Sequence, residues 1–468
     1  MKFIVTGASG LLGRPLVRRL LEAGHEVVAW SRDVDAAARR LPARAHIETW
    51  TPGAPVDPRR LSDADAVIHL AGEHVASGRW TAARRQAIAD SRVASGRALV
   101  AAMNALPARH RPRALVSASG IGAYGDRGDE HLDETSSPGD GFLADVCRDW
   151  EAAACDAAVL GVRTVILRIG IVLSAQGGAL RALLPAFRLG LGGRAGSGRQ
   201  WMSWIHIDDM VELLFAAATR ADMAGVYNAV APHPATNAEF ARSLGRALGR
   251  PARLPLPAAT LRLLLGAMAS LLLASQRVEP ASARRLGLTW RFPELDAALR
   301  DLCTDLSEVV DVEQWVPQPL AVVFPFYADA GNLERITPPF LRFRVLRSST
   351  PTIGDGTLID YRLRLRGLPV RWRTVIESWR PPHTFVDRQL RGPYRLWHHT
   401  HTFTPSGDGT LVRDRVRYRV PLGALGHLVA GRLVARDVEG IFAFRREATA
   451  AIFATDGSTP GARCQVAS

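Results

Sequence analysis

Two groups of residues in this chain have the types and spacing to do chemistry. The first is Thr6-Gly7-Ala8-Ser9-Gly10-Leu11-Leu12-Gly13, a glycine triplet that directly follows the apolar run Phe3-Ile4-Val5. Gly7 permits a tight turn, Gly10 lets main chain approach a pyrophosphate, and Gly13 lets the next helix pack closely on the strand. Ser9, Leu11 and Leu12 complete the loop, and the N–H groups at the helix start face the phosphates. The second group is a pair of hydroxyls, Ser119 and Tyr124, which could polarise a carbonyl or pass a proton, with Arg148 as the candidate cation. Tyrosine, with a pKa of about 10, needs such a cation before it can act as a base at neutral pH. Lysine, the more familiar partner, occurs once in the 468 residues, at Lys2.

Two further segments extend the nucleotide site. The run His25–Trp30 ends in Ser31-Arg32, where an acid would bind a ribose 2′-hydroxyl; arginine there favours a 2′-phosphate, hence NADP over NAD. Asp33 and Asp35 come too late to take the acid's place. Leu70-Ala71-Gly72-Glu73 closes a later apolar run, where small residues let a cofactor lie against main chain and Glu73 could reach the nicotinamide amide.

These residues must be held by an alternating scaffold. Short apolar runs at Phe3–Thr6, Glu26–Trp30, Ala45–Thr49, Ala66–Leu70, Ala114–Ser117 and Thr164–Leu167 are mostly separated by helix-length segments, the rhythm of a doubly wound α/β parallel sheet. Residues 173–300 are less regular and are expected to form a small substrate lobe. After about 306 the pattern changes to alternating strands at Thr357–Leu365, Val370–Trp379, Thr384–Leu390, Arg395–Phe403 and Thr410–Val420, then a helix from about Leu425 to Phe453. The expected domains are therefore 1–300 and 307–455, the second an α+β sheet gripping its final helix, with 456–468 a disordered tail.

Composition excludes several classes. The formal charge is +14, but the arginines are interleaved with acids along the whole chain, so no nucleic-acid patch stands out. Four cysteines show neither zinc spacing nor disulfide density, which fits a reduced, cytoplasmic protein. Phe3-Ile4-Val5 is too short for a signal core, and Leu261–Ala274 is too short to span a bilayer.

The segments His69-Leu70-Ala71-Gly72-Glu73, Arg79-Trp80-Thr81, Asp90-Ser91-Arg92, Ser117-Ala118-Ser119, Tyr124-Gly125-Asp126, Leu189–Gly193, Gly196–Gln200, Trp204–Asp209 and Leu272–Arg277 carry a resemblance. Over about residues 1–300 the chain resembles an atypical extended short-chain dehydrogenase of the NAD-dependent epimerase/dehydratase superfamily, in the epimerase-like family 39U. The resemblance implies a Rossmann fold, an NAD(P) cofactor and a role for Ser119 at a substrate carbonyl. It also implies a tyrosine–lysine dyad, yet the corresponding helix, Phe142-Leu143-Ala144-Asp145-Val146-Cys147-Arg148-Asp149-Trp150-Glu151, contains neither residue. His206 and Asp208 match a structural motif of the family, with Asp208 expected to cap the following helix.

Residues 307–455 resemble the START-like, helix-grip (SRPBCC) superfamily that includes polyketide cyclases, through Gln314–Pro317, Asn332–Pro339, Gly356–Tyr361, Trp372-Arg373 and Gly392–Trp397. That resemblance implies an apolar cavity and a hydrophobic ligand. His399 and His401 share a strand face, but two histidines without a third ligand nearby favour cavity-lining or surface roles over a metal. The leading expectation is an NADP-dependent oxidoreductase or epimerase-like enzyme joined to a ligand-binding domain. The alternative is a non-catalytic NADP-binding sensor, and the missing dyad is its main support.

Overall fold

The computed structural model describes residues 1–304, 307–421 and 423–455. The chain forms two compact units that part after residue 306. The segment 456–468, expected to be disordered, lies outside the described residues.

The first unit is built on seven strands: β1 (Lys2–Thr6), β2 (Glu26–Ser31), β3 (His46–Thr49), β4 (Ala66–His69), β5 (Ala114–Gly120), β6 (Arg163–Ile169) and β7 (Gly225–Ala229). Their order across the sheet is β7-β6-β5-β4-β1-β2-β3, and every pairing is parallel. Helices on both faces bury runs such as Phe3–Val5 and Ala66–Ile68 completely, which explains why these strands read as continuous apolar stretches. Strand order reverses beside β1, so the carboxyl ends of β1 and β4 flank the crevice where such sheets bind ligands.

The lobe boundary requires a correction. Past residue 173 the chain returns to the main sheet: β7 adds the seventh strand, and the helix Ile207–Thr219 drives Met210, Leu214 and Ala217 into the central core. What remains as a lobe packs Phe187, Trp204, Phe240 and Leu299 into a separate cluster. The Ile207–Thr219 helix is also capped differently from expectation, because His206 is the capping residue and its Nδ1 accepts from the N–H of Asp208.

The second unit is an antiparallel sheet of β8 (Glu308–Val316), β9 (Arg344–Ser348), β10 (Leu358–Leu365), β11 (Leu368–Arg380), β12 (Thr384–Arg391), β13 (Leu396–Ser406) and β14 (Gly409–Arg419), in the order β8-β14-β13-β12-β11-β10-β9. The final helix, Gly423–Thr455, sends Val438, Phe442 and Phe453 into the core that holds Tyr361, Trp372, Phe403 and Tyr418. This is the helix-grip arrangement. Strand β9 was not anticipated: it is an edge strand with a bulge between Val345 and Arg347, and its arginines hide the apolar alternation.

One titratable group sits deep in the first core. His69 ends β4 with its ring edge-on to Trp50 and Trp150, 6.4 Å from each, and its Nδ1 lies 2.8 Å from Thr6 Oγ1. Its Nε2 is buried without a hydrogen bond. Burial pushes its pKa down to about 4, so the ring is neutral at pH 7. A base with a folded-state pKa below its unfolded value contributes fully above about pH 6.5, and that contribution disappears as the pH falls toward 4. The expected loss from this group is about 3 kcal/mol. Denaturant unfolding of wild type and His69→Asn between pH 7 and 4 measures it; equal pH dependence of the two chains would refute the assignment.

Candidate active site

The crevice is floored by a tight main-chain crossing. A Cβ on Gly7 would lie 2.8 Å from the Leu70 carbonyl and the Ala71 nitrogen, and one on Gly13 would lie 2.3 Å from the Gly7 oxygen. Thr6 Oγ1 ties the two strand ends together by accepting from the N–H groups of Leu70 and Ala71, each at 3.2 Å. Gly10 differs: a Cβ there would meet only the Gly7 oxygen, at 3.1 Å, so the protein's own packing exerts little demand for glycine at this position. The helix that follows, Gly13–Glu22, has no side-chain cap and no acid in its first turn, leaving its positive end available to an anion. Ser9, Leu11 and Leu12 lie on this loop. Shape and polarity both fit a pyrophosphate.

Arg32 stands just past β2 with its guanidinium two-thirds exposed, and reaches Glu73 at 3.3 Å. Glu73 also pairs with Arg84 at 3.0 Å, and its main-chain N–H donates to Ser91 Oγ. The Arg84 and Arg32 guanidiniums hold the Glu73 carboxyl below its usual range. Glu73 is thus an arginine clamp at the crevice mouth, and a 2′-phosphate would compete with it for Arg32. Behind it, Arg92 donates to the Glu73 carbonyl at 2.9 Å and packs against Gly72.

Ser119 lies near the carboxyl end of β5, directly opposite Arg168 of β6 in the sheet register. Both side chains meet Glu151, carried by the helix Phe142–Val159. Ser119 Oγ donates to Glu151 Oε1 at 2.7 Å, while Arg168 holds both carboxylate oxygens, Nε to Oε1 at 2.9 Å and Nη2 to Oε2 at 2.8 Å. Arg168 Nη1 donates to the Tyr124 hydroxyl at 3.0 Å. The same hydroxyl lies 2.9 Å from the Asp133 carbonyl and 2.8 Å from Asn228 Oδ1. Asn228 is oriented by its own Nδ2, which donates to the Glu279 carbonyl.

Tyr124 is fully buried; its single proton is shared between the Asp133 carbonyl and Asn228 Oδ1, and its oxygen accepts from Arg168 Nη1. Burial raises its pKa, an effect that Arg168 and Asn228 only partly offset. Burial also acts to lower the Arg168 pKa, but Glu151 and Tyr124 outweigh it and the net shift is upward. Ser119 and Tyr124 therefore belong to one network, joined through Arg168 rather than facing each other across an open site. The expected cation is corrected as well. Arg148 is half-exposed and pairs with Asp145 one turn away, whereas Arg168 contacts the phenol.

Glu151, Arg168 and Asn228 were not singled out from the sequence. A usable signal existed in Thr164-Val165-Ile166-Leu167-Arg168-Ile169, because a guanidinium inside an otherwise apolar strand requires a buried acceptor. Cys147, one turn before Glu151, packs its sulfur 3.6 Å from the Gly120 carbonyl, and burial raises its pKa.

Comparison with known proteins settles the lineage. Residues 3–229 match the NAD dependent epimerase/dehydratase family, and 256–302 match a domain of unknown function. The chain is 40% identical over 297 residues to an epimerase family protein of Mycobacterium bovis, covering 63% of this chain and 95% of that one. It is 38% identical over 308 residues to the human epimerase family protein SDR39U1, covering 64% and 99%. The chain belongs to the NAD-dependent epimerase/dehydratase family. A crystal structure of human SDR39U1 with NADPH superimposes with a TM-score of 0.57 at 36% identity, covering 65% of this chain and 99% of that one. UDP-N-acetylglucosamine 4-epimerase from Bacillus cereus shares the fold at 17% identity, with a TM-score of 0.51 over 65% of this chain and 96% of that one. Residues 316–442 match the polyketide cyclase/dehydrase and lipid transport family. Among the described residues no helix is long and apolar enough to cross a membrane.

The Arg168–Glu151 pair should dominate the local energetics, since removing one partner leaves a buried charge uncompensated. Glu151→Gln is expected to cost about 3–5 kcal/mol. Denaturant unfolding measures this, and a change within about 0.5 kcal/mol, the usual range for surface substitutions, would contradict the burial argument.

Proposed function

We propose that the epimerase-like unit is an NADP-dependent oxidoreductase or epimerase acting on a carbonyl or hydroxyl of a small, lipophilic molecule. The observation that carries this reading is the Ser119 hydroxyl donating to a carboxylate that Arg168 locks in place. NADP is supported by the glycine cradle, by Arg32 beyond β2, and by the NADPH in the human relative's crystal structure. Gly7, Ser9, Gly10, Leu11, Leu12 and Gly13 would hold the pyrophosphate, Arg32 the 2′-phosphate, and Leu70, Ala71, Gly72 and Glu73 the opposite wall. When bound, the nicotinamide supplies or accepts a hydride.

With its own proton directed at Glu151 Oε1, Ser119 Oγ presents lone pairs to a substrate hydroxyl. It can take the substrate's proton while passing its own to Glu151, and in the reducing direction the two protons move back. Arg168 orients the carboxylate, and Tyr124 positions Arg168 without touching the reacting atoms. This relay would take over the proton transfer that a tyrosine–lysine dyad performs in the family.

The second reading is an NADP-binding sensor without catalysis. It is favoured by the buried Tyr124 hydroxyl, whose one proton is held between two protein acceptors rather than offered to a substrate. For the C-terminal unit we propose a hydrophobic small-molecule ligand between sheet and helix. Its cavity is lined by Phe326, Leu333, Ile336, Ile359 and Phe385, but measures about 50 Å³, so an acyl chain requires these side chains to move.

Calorimetric titration tests the cofactor. NADPH should bind at least tenfold more tightly than NADH, Arg32→Ala should remove the difference, and Gly10→Val should fold yet bind neither. Equal affinities unaffected by Arg32→Ala would eliminate the 2′-phosphate site. Turnover tests the relay: across a panel of lipophilic aldehydes, ketones and quinones, Ser119→Ala should lower kcat by about 10²–10⁴. Unchanged turnover would remove Ser119 from the chemistry, and tight NADPH binding without oxidation of any substrate would select the sensor.

A further inference from the structure

Inside the second unit, three neighbouring strands converge on a buried cluster that histidine spacing alone does not reveal. The register sets Asp387 of β12 opposite His399 of β13, and His401 of β13 opposite Asp414 of β14. His399, His401 and Asp414 are 2%, 4% and 7% exposed. The two imidazole rings lie with centroids 3.8 Å apart and planes tilted by 40°, between the two carboxylates. Asp387 Oδ2 lies 3.0 Å from His399 Nδ1 and 3.2 Å from His401 Nε2, while Asp414 Oδ1 lies 2.9 Å from His399 Nε2 and 2.8 Å from His401 Nδ1.

All four imidazole nitrogens therefore lie within 3.2 Å of a carboxylate oxygen, although His401 Nδ1 is out of line for a hydrogen bond, whereas His399 meets a carboxylate on both sides. A neutral imidazole has one N–H and one lone pair, and a lone pair directed at a carboxylate is repulsive. The arrangement needs positive charge between rings and acids, which either additional protons or a metal ion can supply. Asp387, His399 and His401 each offer one ligand atom, all within 4.8 Å of one another, and two imidazoles with one carboxylate form a common donor set for transition metals.

We propose that Asp387, His399 and His401 bind a divalent first-row transition metal, with zinc the representative ion, and that Asp414 orients both rings from behind. Loading exchanges protons for metal: His399 Nδ1 and His401 Nε2 release any proton they carry to solvent and give their lone pairs to the cation. Asp414 then accepts from the opposite ring nitrogens, the outer-shell role that fixes a ligating histidine's tautomer. His401 Nδ1, 2.8 Å from Asp414 Oδ1, is buried without an in-line hydrogen bond, and a rotation of the ring would engage it.

The cavity beside the cluster indicates what else binds. Asp387 and His401 line it together with Arg445, whose Nη1 is 3.7 Å from Asp414 Oδ1 and whose Nε and Nη1 are buried without hydrogen-bond partners. Among the buried groups, Asp387, Asp414, the Arg445 guanidinium and one divalent ion leave a single positive charge, while the other carboxylate lining the cavity, Asp329, is exposed. A small anionic oxygen donor, hydroxide or a short carboxylate, fits the remaining coordination position and the unused guanidinium hydrogens. The space of about 50 Å³ suits a ligand of a few atoms.

The full-length protein, stripped with chelator and then desalted, should retain one zinc per chain after a single equivalent is added, as read by elemental analysis. Cobalt loading should give the visible d–d bands of nitrogen- and oxygen-coordinated Co²⁺. Asp414→Asn should weaken zinc binding about 10- to 100-fold, and His399→Gln or Asp387→Asn should abolish the cobalt bands. The wild-type loading experiment carries the test even where a variant misfolds. Wild type that neither retains zinc nor develops cobalt bands overturns the proposal, as does a folded His399→Gln chain that binds like wild type.

Discussion

A guanidinium placed inside a parallel sheet must be answered by a carboxylate, and much of the candidate active site follows from that requirement. Arg168 lies on an otherwise apolar strand, so Glu151 is drawn from the neighbouring helix to pair with it through two parallel hydrogen bonds. The pair then leaves one acceptor direction to Ser119 and one donor direction to Tyr124. Removing the charge would leave Ser119 and Tyr124 two hydroxyls without a common partner. With it, they become ends of one network, and the relay proposed above assigns the substrate to the Ser119 end.

The nucleotide crevice obeys a different constraint, the close approach of two main-chain segments. Gly7 and Gly13 are glycine because a Cβ would strike protein backbone, whereas Gly10 is glycine without comparable pressure from within. That contrast locates the space a pyrophosphate would use. It also separates positions that a mutation damages through folding from one it damages through binding.

The second unit shows how a sheet makes a site out of ordinary alternation. Side chains two apart on a strand share a face, and partners directly opposite on adjacent strands come close enough to bond. Asp387, His399, His401 and Asp414 span 28 residues of sequence but meet within hydrogen-bonding distance on three adjoining strands. In such a dry interior their charges have to be balanced locally.

By itself the sequence determined the parallel-sheet rhythm, the glycine loop, Arg32 at the end of β2, and the switch to antiparallel strands, because each is a local pattern of period, turn or strand end. It also showed that no tyrosine–lysine dyad could form. Only the tertiary structure decided that β7 returns from the presumed lobe to the main sheet, that Arg168 rather than Arg148 meets Tyr124, and that two acids close around His399 and His401. Those outcomes depend on strand register and helix docking, which bring together residues far apart in the chain, and no local period encodes which distant side chains will share a face.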